Sequence, residues 1–340
     1  MNHQSAKKYV SKKYVLSAAA AWLLAACSPA EQAAAPADTS AAAGNKKIAI
    51  TAIVEHPALD AVRKGVLDEL KNKGYEAGKN LTVDFQSAQG STANAAQIAK
   101  KFAGSNPDVI VAVSTPSAQS MAAATKTIPV VYAGVTDPVA AKLVPGWEAS
   151  NTNVTGVSDE LPLEPQIDLM KKLVPAVKNV GYVYSPGEVN STTVLAQLKA
   201  KLPSQGINVV EAPAQRSADV LAAARSLNGK VDLLYTSPDN NVVASYESMY
   251  KAAVEMKKPL VASNTDSVKR GAAAALGVNY YDLGRKAGDM VFQILNGKKA
   301  GEIPSARMET LDLFLNKKNA AATGAVLPED LLGQAKEVQE

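Results

Sequence analysis

Cysteine, histidine and aromatic residues are scarce in this 340-residue chain: one Cys, two His and 5% Phe, Trp and Tyr together. A lone Cys27 rules out a disulfide within the chain and any cysteine cluster for a metal. His56 has no second His or Cys nearby, so a metal site is not expected there. It fits a hydrogen-bonding role at a strand end as well as a purely structural one. No G-x-G-x-x-G or Walker pattern occurs, and Gly90 beside Gln89 is only a faint phosphate-loop signal. No cofactor is therefore expected. No apolar stretch is long enough to span a bilayer; the longest, Val15 to Ala26, falls well short. Charge of one sign is lacking too: 36 basic residues face 32 acidic ones. Nothing in that balance calls for nucleic acid.

What the chain does have is a repeated α/β pattern. Asp108 to Val113 is apolar and β-branched without polar alternation, as in a strand buried on both faces. Ser114-Thr115-Pro116-Ser117 then opens an alanine-rich helical run, with hydroxyls and Pro at the helix start. Val231 to Asn241 repeats the layout of buried strand, hydroxyls, Pro and helix start. The neighbours repeat as well: Leu81 to Gln89 matches Ile207 to Gln215, and Ile128 to Asp137 matches Pro259 to Asp266. Each half is thus a βαβαβ unit, and the period is far too long for a solenoid. The fold class expected is α/β, with two Rossmann-like lobes of parallel sheet flanked by helices. Loops at the carboxyl ends of such strands are where open α/β sheets bind ligands.

The N-terminus reads as a targeting segment. Lys7, Lys8, Lys12 and Lys13 precede the short apolar run, which ends in Leu24-Ala25-Ala26-Cys27. That ending resembles the lipobox of bacterial lipoproteins, in which the cysteine is lipidated and becomes the new N-terminus. Removing residues 1–26 also removes four lysines and leaves the mature chain near neutral. Residues 27–45, rich in Ala, Pro, Ser and Gln, read as a flexible tether to a membrane anchor. The first lobe is assigned to 46–158 and 279–309, the second to 159–278 and 310–325, and 326–340 to a surface tail. The chain would cross between lobes near Gly156 to Pro162, near Gly277 to Tyr281 and near Met308 to Leu313, which makes these the hinge.

Candidate ligand-binding residues lie at strand ends. Thr115 and Ser117 offer hydroxyls and free N–H groups at a helix start, which suit a carboxylate. An ammonium would need Asp137, Glu188, Asp239 or Asp266. The proposed partner is Asp239, whose alternative role is to cap the helix beginning near Asn240. Asn190 and Ser191 are either cleft groups or helix caps. Tyr184 and Tyr235 are placed either to flank an aromatic side chain or to fill the core.

Six motifs also carry a family resemblance, in order: Glu55-His56-Pro-Ala-Leu-Asp60, Ala88-Gln89-Gly90, Ser114 to Gln119, Thr136-Asp137-Pro-Val139, Glu188-Val-Asn190-Ser191 and Pro238-Asp239-Asn240. This set resembles the tryptophan/tyrosine-type substrate-binding proteins of bacterial ABC transporters, which have the type I periplasmic-binding fold. It covers roughly Lys46 to Ala320. The resemblance implies a monomeric extracytoplasmic lipoprotein that closes on an amino acid and delivers it to a membrane permease. It also implies no catalysis. Two other readings stay open at this level. A membrane-anchored α/β hydrolase would need a nucleophile and base, yet no G-x-S-x-G elbow is present and His56 offers little choice of base. A ligand sensor would need a membrane partner, as a transporter would.

Overall fold

A computed structural model describes residues 45–340. The targeting segment, Cys27 and nearly all of the tether lie outside the described residues. The first lobe begins β1 (Lys46–Ala52), α1 (Pro57–Asn72), β2 (Leu81–Ser87), α2 (Thr92–Ser105) and β3 (Val109–Val113). It continues with α3 (Thr115–Ala124), β4 (Val130–Ala133) and β5 (Val154–Ser158). The second lobe repeats the alternation. Its first part is α4 (Leu163–Leu173), β6 (Asn179–Tyr184), α5 (Val189–Lys201), β7 (Asn208–Pro213) and α6 (Val220–Arg225). Then come β8 (Leu233–Thr236), α7 (Asn240–Ala244), α8 (Tyr246–Met256), β9 (Leu260–Ala262) and β10 (Ala274–Gly277).

Both sheets share one strand order, β2-β1-β3-β4-β5 and β7-β6-β8-β9-β10, and every pairing within these runs is parallel. The order reverses beside β1 in one lobe and β6 in the other. Crevices at such reversals receive ligands. The loops there are Val54 to His56 and Ser114-Thr115 in the first lobe, Ser185 to Glu188 and Ser237 to Asp239 in the second. All five residues of β3 are buried, as an uninterrupted apolar strand covered on both faces requires.

The chain passes between lobes three times. Residues 159–162 lead from β5 to α4, and Val278-Asn279 lead from β10 to α9 (Tyr280–Leu295), which packs back on α1. Residues 308–311 join β11 (Ala306–Arg307), beside β5, to β12 (Asp312–Asn316), antiparallel to β10. Glycines let α1 and α9 touch closely. A Cβ on Gly65 would sit 2.2 Å from the Tyr281 carbonyl, and one on Gly284 2.2 Å from the Val62 carbonyl.

The C-terminal stretch departs from the expected surface tail. After α10 (Lys317–Thr323), α11 (Glu329–Gln334) buries Leu331, and β13 (Glu337–Gln339) pairs with β12. Backbone groups at the edge of β12 take the pairing, although the sequence there shows little apolar patterning.

Candidate functional site

Two small adjoining chambers lie between the lobes at the carboxyl ends of the strands. The first is a cavity of about 10 Å³, room for about one water. His56, Ser114, Thr115, Asp159 and Tyr280 face it from the first lobe and the crossings. Asn190, Pro238, Asn240 and Asn264 face it from the second lobe. The other chamber, about 20 Å³, lies between Thr136, Asp159 and Glu160 on one side and Leu163, Gln166, Val194 and Tyr235 on the other. Asp159 and Pro238 line both.

The start of α3 offers unpaired donors of the kind that suit an anion. Ser114 holds φ 77° and ψ 161°, a region almost reserved for glycine, at a cost of about 1–3 kcal/mol. Its side chain does not cap the helix. The hydroxyls of Ser114, Thr115 and Ser117 are all buried without a partner, beside the N–H groups that a helix start leaves unpaired. Buried hydroxyls ordinarily find partners, so three together mark a place for an acceptor-rich ligand group.

The second lobe fills its equivalent place with its own carboxylate. Aligning Pro116 with Pro238 sets Ser117 against Asp239. Asp239 is fully buried and accepts from Ser185 N–H at 2.6 Å, Ser185 Oγ at 2.8 Å, Ser191 Oγ and Val242 N–H at 3.0 Å. It therefore staples the ends of β6, α5 and α7 together, and the capping alternative describes it better than the ammonium role. Glu188 is tied up likewise: one oxygen accepts from Asn190 Nδ2, Asn240 N–H and Asn240 Nδ2. Burial, with the Asp239 carboxylate nearby, pushes Glu188 up to about 7.

Asp159 keeps a carboxylate oxygen unpartnered at the chamber wall. It is 2% exposed, and Tyr280 Oη donates to Oδ2 at 2.7 Å, while Oδ1 has no partner. Burial raises its pKa against that hydrogen bond. Across the chamber Asn190 donates its amide to Glu188 and to the Pro238 carbonyl, which leaves a buried unpartnered Oδ1. His56 caps α1 by accepting from Leu59 N–H on Nδ1, so Nε2 carries the proton. Burial, aided by the positive charge of Arg270, lowers its pKa to about 3. Such a histidine is a neutral donor at physiological pH and a poor general base, which disfavours the hydrolase reading.

Of the residues expected from sequence, the structure brings His56, Thr115, Asn190 and Asn240 to the chamber walls, with Ser117 just behind. It places most of the others elsewhere. Glu55 and Gln89 are exposed. Asp137 caps the turn at Val139 and Ala140, accepting at 3.0 and 2.8 Å. Asp266 sits beyond Asn264, whose side chain accepts its N–H. Tyr184 stacks on Tyr182 at 6.2 Å within the second lobe, and Ser191 serves Asp239. Tyr235 does line the second chamber. Asp159 and Glu160 were missed because they read as part of a crossover. An Asp-Glu pair at the carboxyl end of a parallel strand was the available signal.

Two repeated lobes with a cleft at their switch points, joined by three connecting segments, define a ligand-binding protein of the type I periplasmic-binding architecture. Residues 47–339 match the family described as ABC transporter substrate binding protein. This chain belongs to that family. It is 40% identical over 277 residues to a tyrosine-binding protein of Clostridioides difficile, covering 82% of this chain and 80% of that one. A solved domain from Streptococcus pneumonia in complex with L-Trp is 33% identical with TM-score 0.83, covering 87% of this chain and all of the other. The ligand-free, open structure of a Clostridium difficile substrate-binding protein with adhesive properties is 40% identical, yet its TM-score is 0.65, over 86% and 99%. The better overlay with the less identical, ligand-bound protein fits the buried cleft: the lobes here are closed.

Proposed function

We propose that the chain is the extracytoplasmic receptor of an importer for aromatic amino acids, with L-tyrosine and L-tryptophan as ligands. The observation that carries this is the unpartnered Asp159 Oδ1 in the same chamber as the unpartnered Ser114 and Thr115 hydroxyls at a helix start. An α-amino acid supplies the matching pair of charges. Its carboxylate meets the α3 N-terminus with Ser114 and Thr115. Its ammonium meets Asp159 Oδ1 and Asn190 Oδ1, and its side chain enters the second chamber against Leu163, Val194 and Tyr235, which widens to take it. The tyrosine-binding relative and the tryptophan complex support the ligand class. Family membership supports delivery to an ABC permease in the membrane.

Calorimetric titration with L-tyrosine, L-tryptophan and a set of sugars tests this reading. Saturable heats with the two amino acids are expected. Binding of a sugar, with none of either amino acid, would refute it.

Thr115→Val should weaken L-tyrosine binding by roughly tenfold or more, since a hydrogen bond to a charged group is lost. The melting temperature of the ligand-free protein should not fall, because the hydroxyl has no protein partner to lose. Unchanged affinity would move the carboxylate away from α3.

The lipid anchor rests on Leu24-Ala25-Ala26-Cys27. Cys27→Ser should shift the protein from the membrane fraction to the soluble fraction and abolish incorporation of labelled palmitate. Affinity of the soluble body should stay as it was. One acyl chain alone binds membranes marginally, so firm retention implies more than one. Equal retention of the variant would exclude this anchor.

A further inference from the structure

The second chamber has a polar end that the amino-acid frame leaves unused. Glu160 and Gln197 line it from opposite lobes, beside Leu161, Leu163, Val194 and the Tyr235 ring. Glu160 is half-buried and fixed from two sides. Its N–H donates to Ser158 Oγ at 2.9 Å, and Arg307 Nη2 holds its Oε2 at 2.8 Å. The same guanidinium lies over the Trp147 ring at 3.5 Å, which limits how far it can move. The other carboxylate oxygen, Oε1, has no protein partner among the described residues. Gln197 makes no side-chain hydrogen bond among them either.

A carboxylate so held is an acceptor with a set direction. We propose that Glu160 is the specificity-determining residue for the ligand's side chain: its Oε1 accepts from a ring O–H or N–H and thereby favours tyrosine and tryptophan over phenylalanine. The inference rests on the aromatic amino-acid reading above. The apolar walls accept any of the three rings, so they do not discriminate. Phenylalanine would displace water from Oε1 and return no donor. Arg307 keeps the carboxylate half-satisfied whichever ligand is bound, which bounds the penalty. The preference should therefore lie between about tenfold and a hundredfold. A site whose only acceptor had to stay wholly unpaired would discriminate more steeply. Arg307 also neutralises Glu160, so the chamber does not call for a ligand with a cationic side chain.

Titration of the full-length protein with L-tyrosine, L-tryptophan, L-phenylalanine and L-arginine tests the proposal. The wild type should prefer the first two over phenylalanine by at least tenfold. Glu160→Met, close in size and without an acceptor, should bring that ratio to within about threefold while phenylalanine affinity holds. Arg307→Met removes the ion pair but keeps the acceptor, and should leave a ratio of at least tenfold. Should Glu160→Met fail to fold, Glu160→Gln keeps the shape and should still lower the tyrosine-to-phenylalanine ratio by threefold or more. A ratio unchanged in the folded Glu160 variants overturns the proposal and leaves the aromatic reading intact. So does tighter binding of L-arginine than of L-tyrosine. Failure of the wild type to bind any of the three aromatic amino acids overturns the functional reading itself, and this proposal with it.

Discussion

Asp239→Asn should lower the melting temperature by roughly 10 °C and leave ligand affinity within about threefold of wild type. The side chain is fully buried and holds four donors from three separate elements. An amide keeps one acceptor and turns an NH₂ toward groups that also donate. Breaking one partner of a buried charged network costs about 3–5 kcal/mol. In a lobe of this size each kcal/mol moves the melting point by a few degrees. Affinity should hold because Asp239 does not line the chambers. The pH profile supplies a second readout. Glu188 is held at about 7, above its ordinary 4.5. The folded state then binds more protons than the unfolded state between those values. The stability this contributes is fully present below about 4.5 and is lost as pH rises through about 7. Removing the neighbouring Asp239 charge should flatten that loss. A variant that melts like wild type but binds tyrosine a hundredfold more weakly would restore Asp239 to the ammonium site.

The opposite pattern is expected for Asp159→Asn. L-tyrosine affinity should fall between about a hundredfold and a few thousandfold, the equivalent of about 3–5 kcal/mol for a buried ammonium deprived of its carboxylate. The melting temperature of the ligand-free protein should stay within about 3 °C. The amide still accepts from Tyr280 Oη through one oxygen, and a buried charge with an unpartnered oxygen is removed. Calorimetry beside melting curves separates the two aspartates in one experiment. Wild-type affinity in Asp159→Asn would show that the ammonium lies elsewhere, or that the ligand has none.

These two residues show how far the site was legible. Both are aspartates at the carboxyl ends of parallel strands, and sequence position alone favoured Asp239 because it belongs to the clearer repeat. That repeat conceals a difference. Where the first lobe has Ser117, too short to reach its own helix start and the neighbouring loop together, the second has a carboxylate that fills the same place. Whether a strand-end carboxylate faces the cleft or its own lobe depends on what surrounds it. Here Ser185 and Ser191, more than forty residues away in sequence, decide it. Tyr184 went the same way: alternation along β6 put it on one face with Tyr182, and stacking holds it there. The C-terminal strand was missed because β13 is recruited by backbone pairing to an existing edge.

The sequence by itself determined the α/β class, the two repeated units and the helix start at Thr115. Those follow from hydrophobic period, β-branched runs and the fixed backbone of Pro, all local signals. It also determined the balance of charge and the setting of Cys27. Only the tertiary structure decided which polar groups are spent on the fold and which remain for a ligand. Hydrogen-bond saturation is a property of groups brought together across the sheet and between lobes. Asp239 became fully satisfied only when β6 delivered Ser185 and α5 Ser191, whereas α9 delivered Tyr280 to one oxygen of Asp159 and left the other unpartnered.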